Sequence, residues 1–238
     1  MIVRPAGDAA LLLITQPAHA SLARKVMEAC VTLADHPRRA AILHAVGEHD
    51  TGWQEEDAAP EFDPANGVVD FIHIPVPVRQ RVWPRAVARL DDDPWAAALV
   101  AHHAITVYER YRPEAEWTPF FTTMEALREE MLERADVARD HLPADYVYLR
   151  LGDLISLCFC TGSADEQRIG DWSVQWTDPV VLVSPDPFGG REIQMDITAH
   201  RVRLEKVGSA SELAAEINRG EAVVVSGSVM ARPTNLIA

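Results

Sequence analysis

Four helical patterns in this chain each carry, inside an apolar stripe, one polar side chain that is costly to bury, and no other feature restricts the fold so much. In the first, His19 leads Leu22, Ala23 and Val26 at offsets of three, four and seven, which puts its ring on the apolar face. In the second, His49 trails Ile42, Ala45 and Val46 at the same offsets, and Asp50 follows it directly. In a third, His103 shares a face with Leu99, Val100 and Val107. In a fourth, Asp153 stands midway between Leu149 and Leu157, with Tyr146 one turn further back. A buried histidine or carboxylate needs a hydrogen bond, an ion pair or a metal. For any one of the four an ordinary partner suffices; four on separate helices point to a shared metal.

Phase also sorts the neighbours. His44 is five positions from His49, a rotation of about 140° at 3.6 residues per turn, and so falls off the site. His102 is turned away from the stripe of His103, where it can face substrate or support a ligand. Trp53 and Trp95 are candidate pocket walls. The acidic runs Glu55-Glu56-Asp57 and Asp91-Asp92-Asp93 read as solvated turns and helix caps.

The helical patterns begin near Gln16, Pro37, Val76, Pro94, Pro119 and Pro143, most with proline or aspartate at the start, where a missing amide hydrogen or a capping carboxylate costs least. A short hairpin, "MIVR" and "ALLLIT" around "PAGD", precedes them. After Gly162 the texture changes to β-branched and alternating runs, "WSVQW", "PVVLVSP", "EIQMDITAHRVRL" and "EAVVVSGSVM", with one helical pattern, "SASELAAEI". The expected fold is mainly α: a helical metal-binding core with an N-terminal hairpin over residues 1–162, and a small strand-rich region over 163–238 packed on it, α+β overall.

With 238 residues, 48% hydrophobic and 24% charged, the chain reads as soluble and globular. Acidic residues outnumber basic ones 36 to 22 for a net charge of −14, and no lysine or arginine stripe could follow a phosphate backbone, so nucleic acid is not an expected partner. No apolar run reaches the roughly 20 residues of a membrane span and no signal peptide is evident, so the expectation is a cytoplasmic protein with no membrane partner. Cys30, Cys158 and Cys160 read as reduced core residues and not as a structural zinc site. The expected partner is a small-molecule substrate, with self-association into a homo-oligomer left open.

Imidazole and carboxylate without cysteine suit one or two divalent transition metals: iron, manganese, zinc or nickel. In order, "QPAHASLA", "GEHDTGW", "LVAHHAITVY" and "LGDLISL" give H…HD…H…D, which resembles the His-Asp (HD) domain metal-dependent phosphohydrolase superfamily. Over essentially the whole chain, "LLLITQPAHASLA", "EHDTGW", "FDPANGVVDF", "GDLISLCFC" and "PDPFGG" resemble a bacterial family known as domain of unknown function 3891. The resemblance implies an HD-like helical fold. It implies His19, His49, Asp50 and Asp153 as metal ligands, His103 as a ligand or site wall, and the place of His73 as that of a further histidine in some two-metal members. Where many of those phosphohydrolases keep a lysine after the doublet, this chain has Trp53, so a phosphate would fall to Arg79, Arg81, Arg85 or Arg150.

The expected activity is metal-assisted hydrolysis of a phosphorylated or related small molecule, with Asp50 bridging metals or orienting the nucleophile and His103 or His102 moving protons. Two alternatives stand beside it: a non-haem di-iron oxygenase of the HD type, and a non-catalytic metal-containing binding or sensing module.

Overall fold

The computed structural model describes residues 1–7 and 10–233. The chain opens with an antiparallel hairpin, β1 (Ile2–Pro5) and β2 (Ala10–Ile14), and enters α1 (Gln16–Met27) and α2 (Arg39–Glu48). The short α3 (Gln54–Ala58) and a two-stranded ribbon, β3 (Phe62–Asp63) and β4 (Gly67–Val68), lead to α4 (Val76–Ala88), α5 (Pro94–Tyr108), α6 (Thr118–Ala135) and α7 (Leu142–Thr161). Then come β5 (Gln167–Ile169), β6 (Trp172–Thr177), β7 (Val180–Ser184), β8 (Ile193–Arg203), α8 (Ala210–Arg219) and β9 (Glu221–Ala231).

Local chemistry accounts for the helix ends. The Thr15 hydroxyl accepts from the Ala18 amide and Pro17 stands in the first turn of α1, while the Asp93 carboxylate accepts from the Ala96 amide with Pro94 starting α5. At the end of α7, Gly162 takes the left-handed conformation, φ 65°, and its amide bonds back to the Cys158 carbonyl.

The strands overturn the expectation of a mainly α, HD-like fold with a small strand-rich appendage. Helix makes up about 52% of the protein, and the rest is built on one seven-stranded sheet curled into a half-barrel, in the order β1-β2-β8-β9-β7-β6-β5. The fold is mixed α+β. The N-terminal hairpin is part of this sheet, because β2 pairs antiparallel with β8, Ala10 opposite Arg203 and Leu13 opposite His200. Alternation in a sequence reveals a strand and its inward face, but the partner of that strand is a long-range matter. β8 and β9, 11 residues each, share a continuous antiparallel ladder, and β9 continues onto β7 in parallel.

One face of this sheet is apolar. Along β8, Met195, Ile197 and Ala199 are buried while Asp196 and Thr198 are exposed, the period of two expected when one face meets a core. α1 packs on β8 and α7 on β1 and β5–β7. Sheet residues such as Ile2, Val174, Val181 and Ile197 fall in the same hydrophobic cluster as Leu22, Leu99 and Phe159 from the helices.

Away from the sheet, the helices are tied by a buried carboxylate. Arg38 grips Asp145 with two hydrogen bonds, Nε to Oδ2 at 2.5 Å and Nη2 to Oδ1 at 3.0 Å; Trp95 Nε1 donates to Oδ2 at 2.9 Å. This joins the entry to α2 with the first turns of α5 and α7. The planar guanidinium and indole N–H satisfy a carboxylate that burial alone would make costly. Replacing it as Asp145→Ala leaves Arg38 and Trp95 without their acceptor. The expected loss is about 3–5 kcal/mol of folding stability, read as a lower urea midpoint with an unchanged slope; an unchanged midpoint would refute the role.

Candidate metal centre

His19 comes from the first turn of α1, His49 and Asp50 from the end of α2, His103 from the middle of α5 and Asp153 from the middle of α7. All five are at most 7% exposed. Two glycines permit the approach. A Cβ on Gly152 would lie 2.7 Å from Met27 Cγ and 3.1 Å from Val46 Cγ1, so α7 seats against α1 and α2 immediately before Asp153. A Cβ on Gly52 would meet the Val82 carbonyl oxygen at 1.9 Å, so the turn after the His-Asp doublet lies flat against α4.

The imidazoles present their Nε2 atoms to the carboxylates. His19 Nε2 lies 3.3 Å from Asp153 Oδ1 and 3.6 Å from Asp50 Oδ2, and His49 Nε2 lies 3.4 Å from Asp50 Oδ2 and 3.7 Å from Asp153 Oδ1. His103 Nε2 stands 3.8 Å from the other oxygen, Asp153 Oδ2. The far ring nitrogens are anchored. His49 Nδ1 is 2.8 Å from the Val46 carbonyl, which can only accept, so Nδ1 carries a hydrogen and in the neutral ring Nε2 holds the lone pair. His19 Nδ1 is 2.8 Å from the Ser156 hydroxyl, which also reaches the Gly152 and Asp153 carbonyls and holds the ring with Nε2 toward the carboxylates.

These spacings suit a cation. Nitrogen and oxygen donors about 2.1 Å from one ion stand roughly 3–3.5 Å from each other at tetrahedral or octahedral angles. His19, His49 and Asp153 each offer a ligand atom, all within 4.8 Å of one another, and Asp50 Oδ2 sits beside both histidines. His49 Nε2 is buried without a hydrogen-bond partner, an unusual state for such an atom unless a ligand completes it.

The electrostatics express the same demand for positive charge. Burial pushes the Asp50 carboxyl up, against the pull of His49 and His19. Burial would do likewise to Asp153, but Arg150, His19 and His49 outweigh it and hold the group well below the ordinary range. Arg150, three residues before Asp153 on the same helix, forms an ion pair with it. Arg150 therefore supplies part of the positive charge that this carboxylate needs. Burial lowers His49, yet Asp50 and Asp153 raise it to about 9, whereas burial holds His103 well below its usual value despite Asp153.

A cavity of about 290 Å³ opens on the cluster. Asp50, His19, His103 and Asp153 form part of its lining, with Trp53, Trp83 and Tyr108 as aromatic walls and Arg79, Arg110 and Arg150 as its cations. Of the arginines considered from sequence, Arg79 and Arg150 reach it, while Arg81 and Arg85 are taken by Glu56 outside it. Trp53 is a wall; Trp95 is not, being bonded to Asp145. His44 pairs with Asp93, and His73, with a side chain 77% exposed, pairs with Asp70. His102 does not line the cavity. It packs edge-on against Tyr146, ring centroids 4.6 Å apart, with Arg128 at 3.5 Å. Asp57 is no solvated turn residue: buried, it accepts from the Gln16 amide at 2.6 Å, at the start of the helix that carries His19.

Sequence reasoning missed Ser156, whose i+3 spacing from Asp153 was a usable signal, and Arg110, which follows the last turn of α5 and carries no pattern of its own.

A family model described as "Protein of unknown function (DUF3891)" matches residues 1–204. The chain belongs to this family. The matched segment contains every residue of the cluster and of the cavity lining, and it ends before α8 and β9. No curated protein and no solved structure matches the chain. Among the described residues no helix is long and apolar enough to cross a membrane.

His102 supplies a pH test of this part of the structure. Burial, then Arg128 and Arg139, hold it at about 4, below the roughly 6.5 of an unfolded histidine. As pH falls below about 6.5 the unfolded chain takes up a proton that the native protein refuses until about 4. The native neutral ring therefore favours the fold fully above 6.5 and progressively less between 6.5 and 4. In urea unfolding across that window, His102→Gln is expected to lose less stability than the parent; parallel losses would refute the assignment.

Proposed function

We propose that His19, His49, Asp50, His103 and Asp153 hold one or two divalent transition metals, and that the protein is a hydrolase of a small phosphorylated or related anionic molecule. The observation that carries this reading is the convergence of three imidazole nitrogens and two carboxylates from four helices, at ligand spacing, beside a cavity lined by three arginines. The order H…HD…H…D, resembling that of the HD phosphohydrolases, supports it. A bound divalent ion supplies an acidified water and a Lewis acid for the bond to be cleaved.

The side chains complete the chemistry. Asp50 would hold the metal or orient the nucleophile, its Oδ2 lying beside the Nε2 atoms of His19 and His49. His103, which burial keeps neutral, would offer its Nε2 lone pair to the metal, and its Nδ1, 3.2 Å from the Tyr146 hydroxyl, holds the ring in place. Arg150 offsets carboxylate charge at the cluster. Trp53 and Trp83 restrict water. Three buried, unpaired cysteines support a reducing compartment, and with this reading we place the protein in the cytoplasm.

Protein purified without a chelating tag and assayed for metal content is expected to carry iron, manganese, zinc or nickel and to turn over members of a phosphoester panel. His49→Ala and Asp153→Asn should lose metal affinity by more than the roughly 10–100-fold that removal of a supporting residue costs, and Ser156→Ala should fall within that range. A folded protein without metal, whose thermal stability no such ion raises, would overturn the metal centre. Iron with substrate-dependent oxygen consumption and no hydrolysis would reassign the chemistry to oxygenation.

A further inference from the structure

Two cations of the cavity wall have no carboxylate. Acidic residues outnumber basic ones 36 to 22, and the nearby Arg81, Arg85, Arg89 and Arg112 all pair with glutamates. Among the described residues, neither Arg79 nor Arg110 makes an ion pair. Both instead converge on one neutral group: the Tyr111 hydroxyl accepts from Arg79 Nη1 at 3.4 Å and from Arg110 Nη2 at 2.8 Å.

Aromatic faces hold the two guanidiniums in place. Arg79 lies 5.5 Å from the ring centroids of both Tyr111 and Trp117, Arg110 lies 4.7 Å from that of Tyr111, and Tyr111 stacks on Trp117 at 4.8 Å with 7° between the planes. Cation–π contact orients a guanidinium without neutralising it. Arg79 Nε is buried and has no hydrogen-bond partner. Two adjacent positive charges repel, and an unpaired buried donor is costly; an anion with several acceptor oxygens relieves both.

We propose that Arg79, Tyr111 and Arg110 form a clamp for a phosphate group. Paired guanidinium forks match the oxygens of a phosphate dianion, and Tyr111 is the positioning residue that keeps the two forks side by side. Because the same cavity is lined by Asp50, His103 and Asp153, the ligand is an organic phosphate whose carbon portion meets Phe71, Val107 and Leu157. That the bound phosphate is a substrate rests on the hydrolase reading above; that it binds does not.

The test is calorimetric titration of inorganic phosphate into the full-length protein stripped of metal by a chelator, with Mn²⁺ titrated separately. Arg79→Ala and Arg110→Ala should each weaken phosphate by about tenfold or more, the loss expected for charge-assisted hydrogen bonds. Tyr111→Phe, which keeps the ring, should weaken it several-fold, and Arg79→Lys should recover part of the loss of Arg79→Ala. Mn²⁺ affinity should be unchanged in all four variants, which shows that the centre still folds. Arg110 is exposed, so its variant tests the clamp even if those at Arg79 disturb packing. Phosphate affinity insensitive to both arginines, no phosphate binding by the parent, or tighter binding of malonate than of phosphate would each overturn the clamp. Phosphate held by the arginines in a protein that takes up no metal would sink the hydrolase reading and leave the clamp standing.

Discussion

Asp50 and Asp153 lie in an interior built from Leu, Val and Ala, and the surrounding structure follows from how two such carboxylates are kept there. Neither is tolerable alone at that depth. The solution is shared among helices: α1 and α2 supply histidines, α5 another, and α7 brings Arg150 with its own Asp153. The helices can share it because Gly152, with no Cβ, lets α7 seat against Met27 of α1 and Val46 of α2. The sheet then serves as backing. α1 and α7 both rest on it, and they carry His19 and Asp153, so the distance between those two side chains is set partly by strands that touch neither.

Much of the centre was legible because its residues obey helical arithmetic. His19, His49, His103 and Asp153 each interrupt an apolar stripe, and a stripe that faces a core carries its interruptions with it. His44 was correctly turned away by the same rule. What escaped was whatever depends on contacts between segments. His102 was kept as a candidate because being off the stripe does not say which neighbour waits there; Arg128 and Tyr146 do. The need of Asp153 for a positive partner was legible from its apolar face, but Arg150 as one such partner was not, because it lies off the stripe and its long side chain reaches round the helix. Arg79 was one of four arginines named without a way to choose among them and Arg110 was not named; their common feature, a shared tyrosine, exists only once α4 lies beside the turn after α5.

The fold class failed for a related reason. The strands β6 to β9 had the expected texture, and so did the hairpin at the start; the short β5 carried no such pattern. Alternation does not encode the partner, and the pairing of Leu11 with Val202 or Leu13 with His200 turns two modest strand regions into one large sheet. The family match, which stops at residue 204, includes β8 but not β9, although β9 lies between β8 and β7.

That position of β9 bears on how the molecule is assembled in time. Without it, the sheet is two separate pieces, β1-β2-β8 and β7-β6-β5. α1 leans on the first piece and α7 chiefly on the second, with β1 as its foothold on the first, so β9 joins the two supports of the helices that carry His19 and Asp153. As the chain leaves the ribosome, every residue of the cluster emerges long before residues 221–231. The partners of β9, β8 and β7, are near neighbours in sequence, so β9 can pair as soon as it emerges and close the sheet behind helices whose cluster is already made.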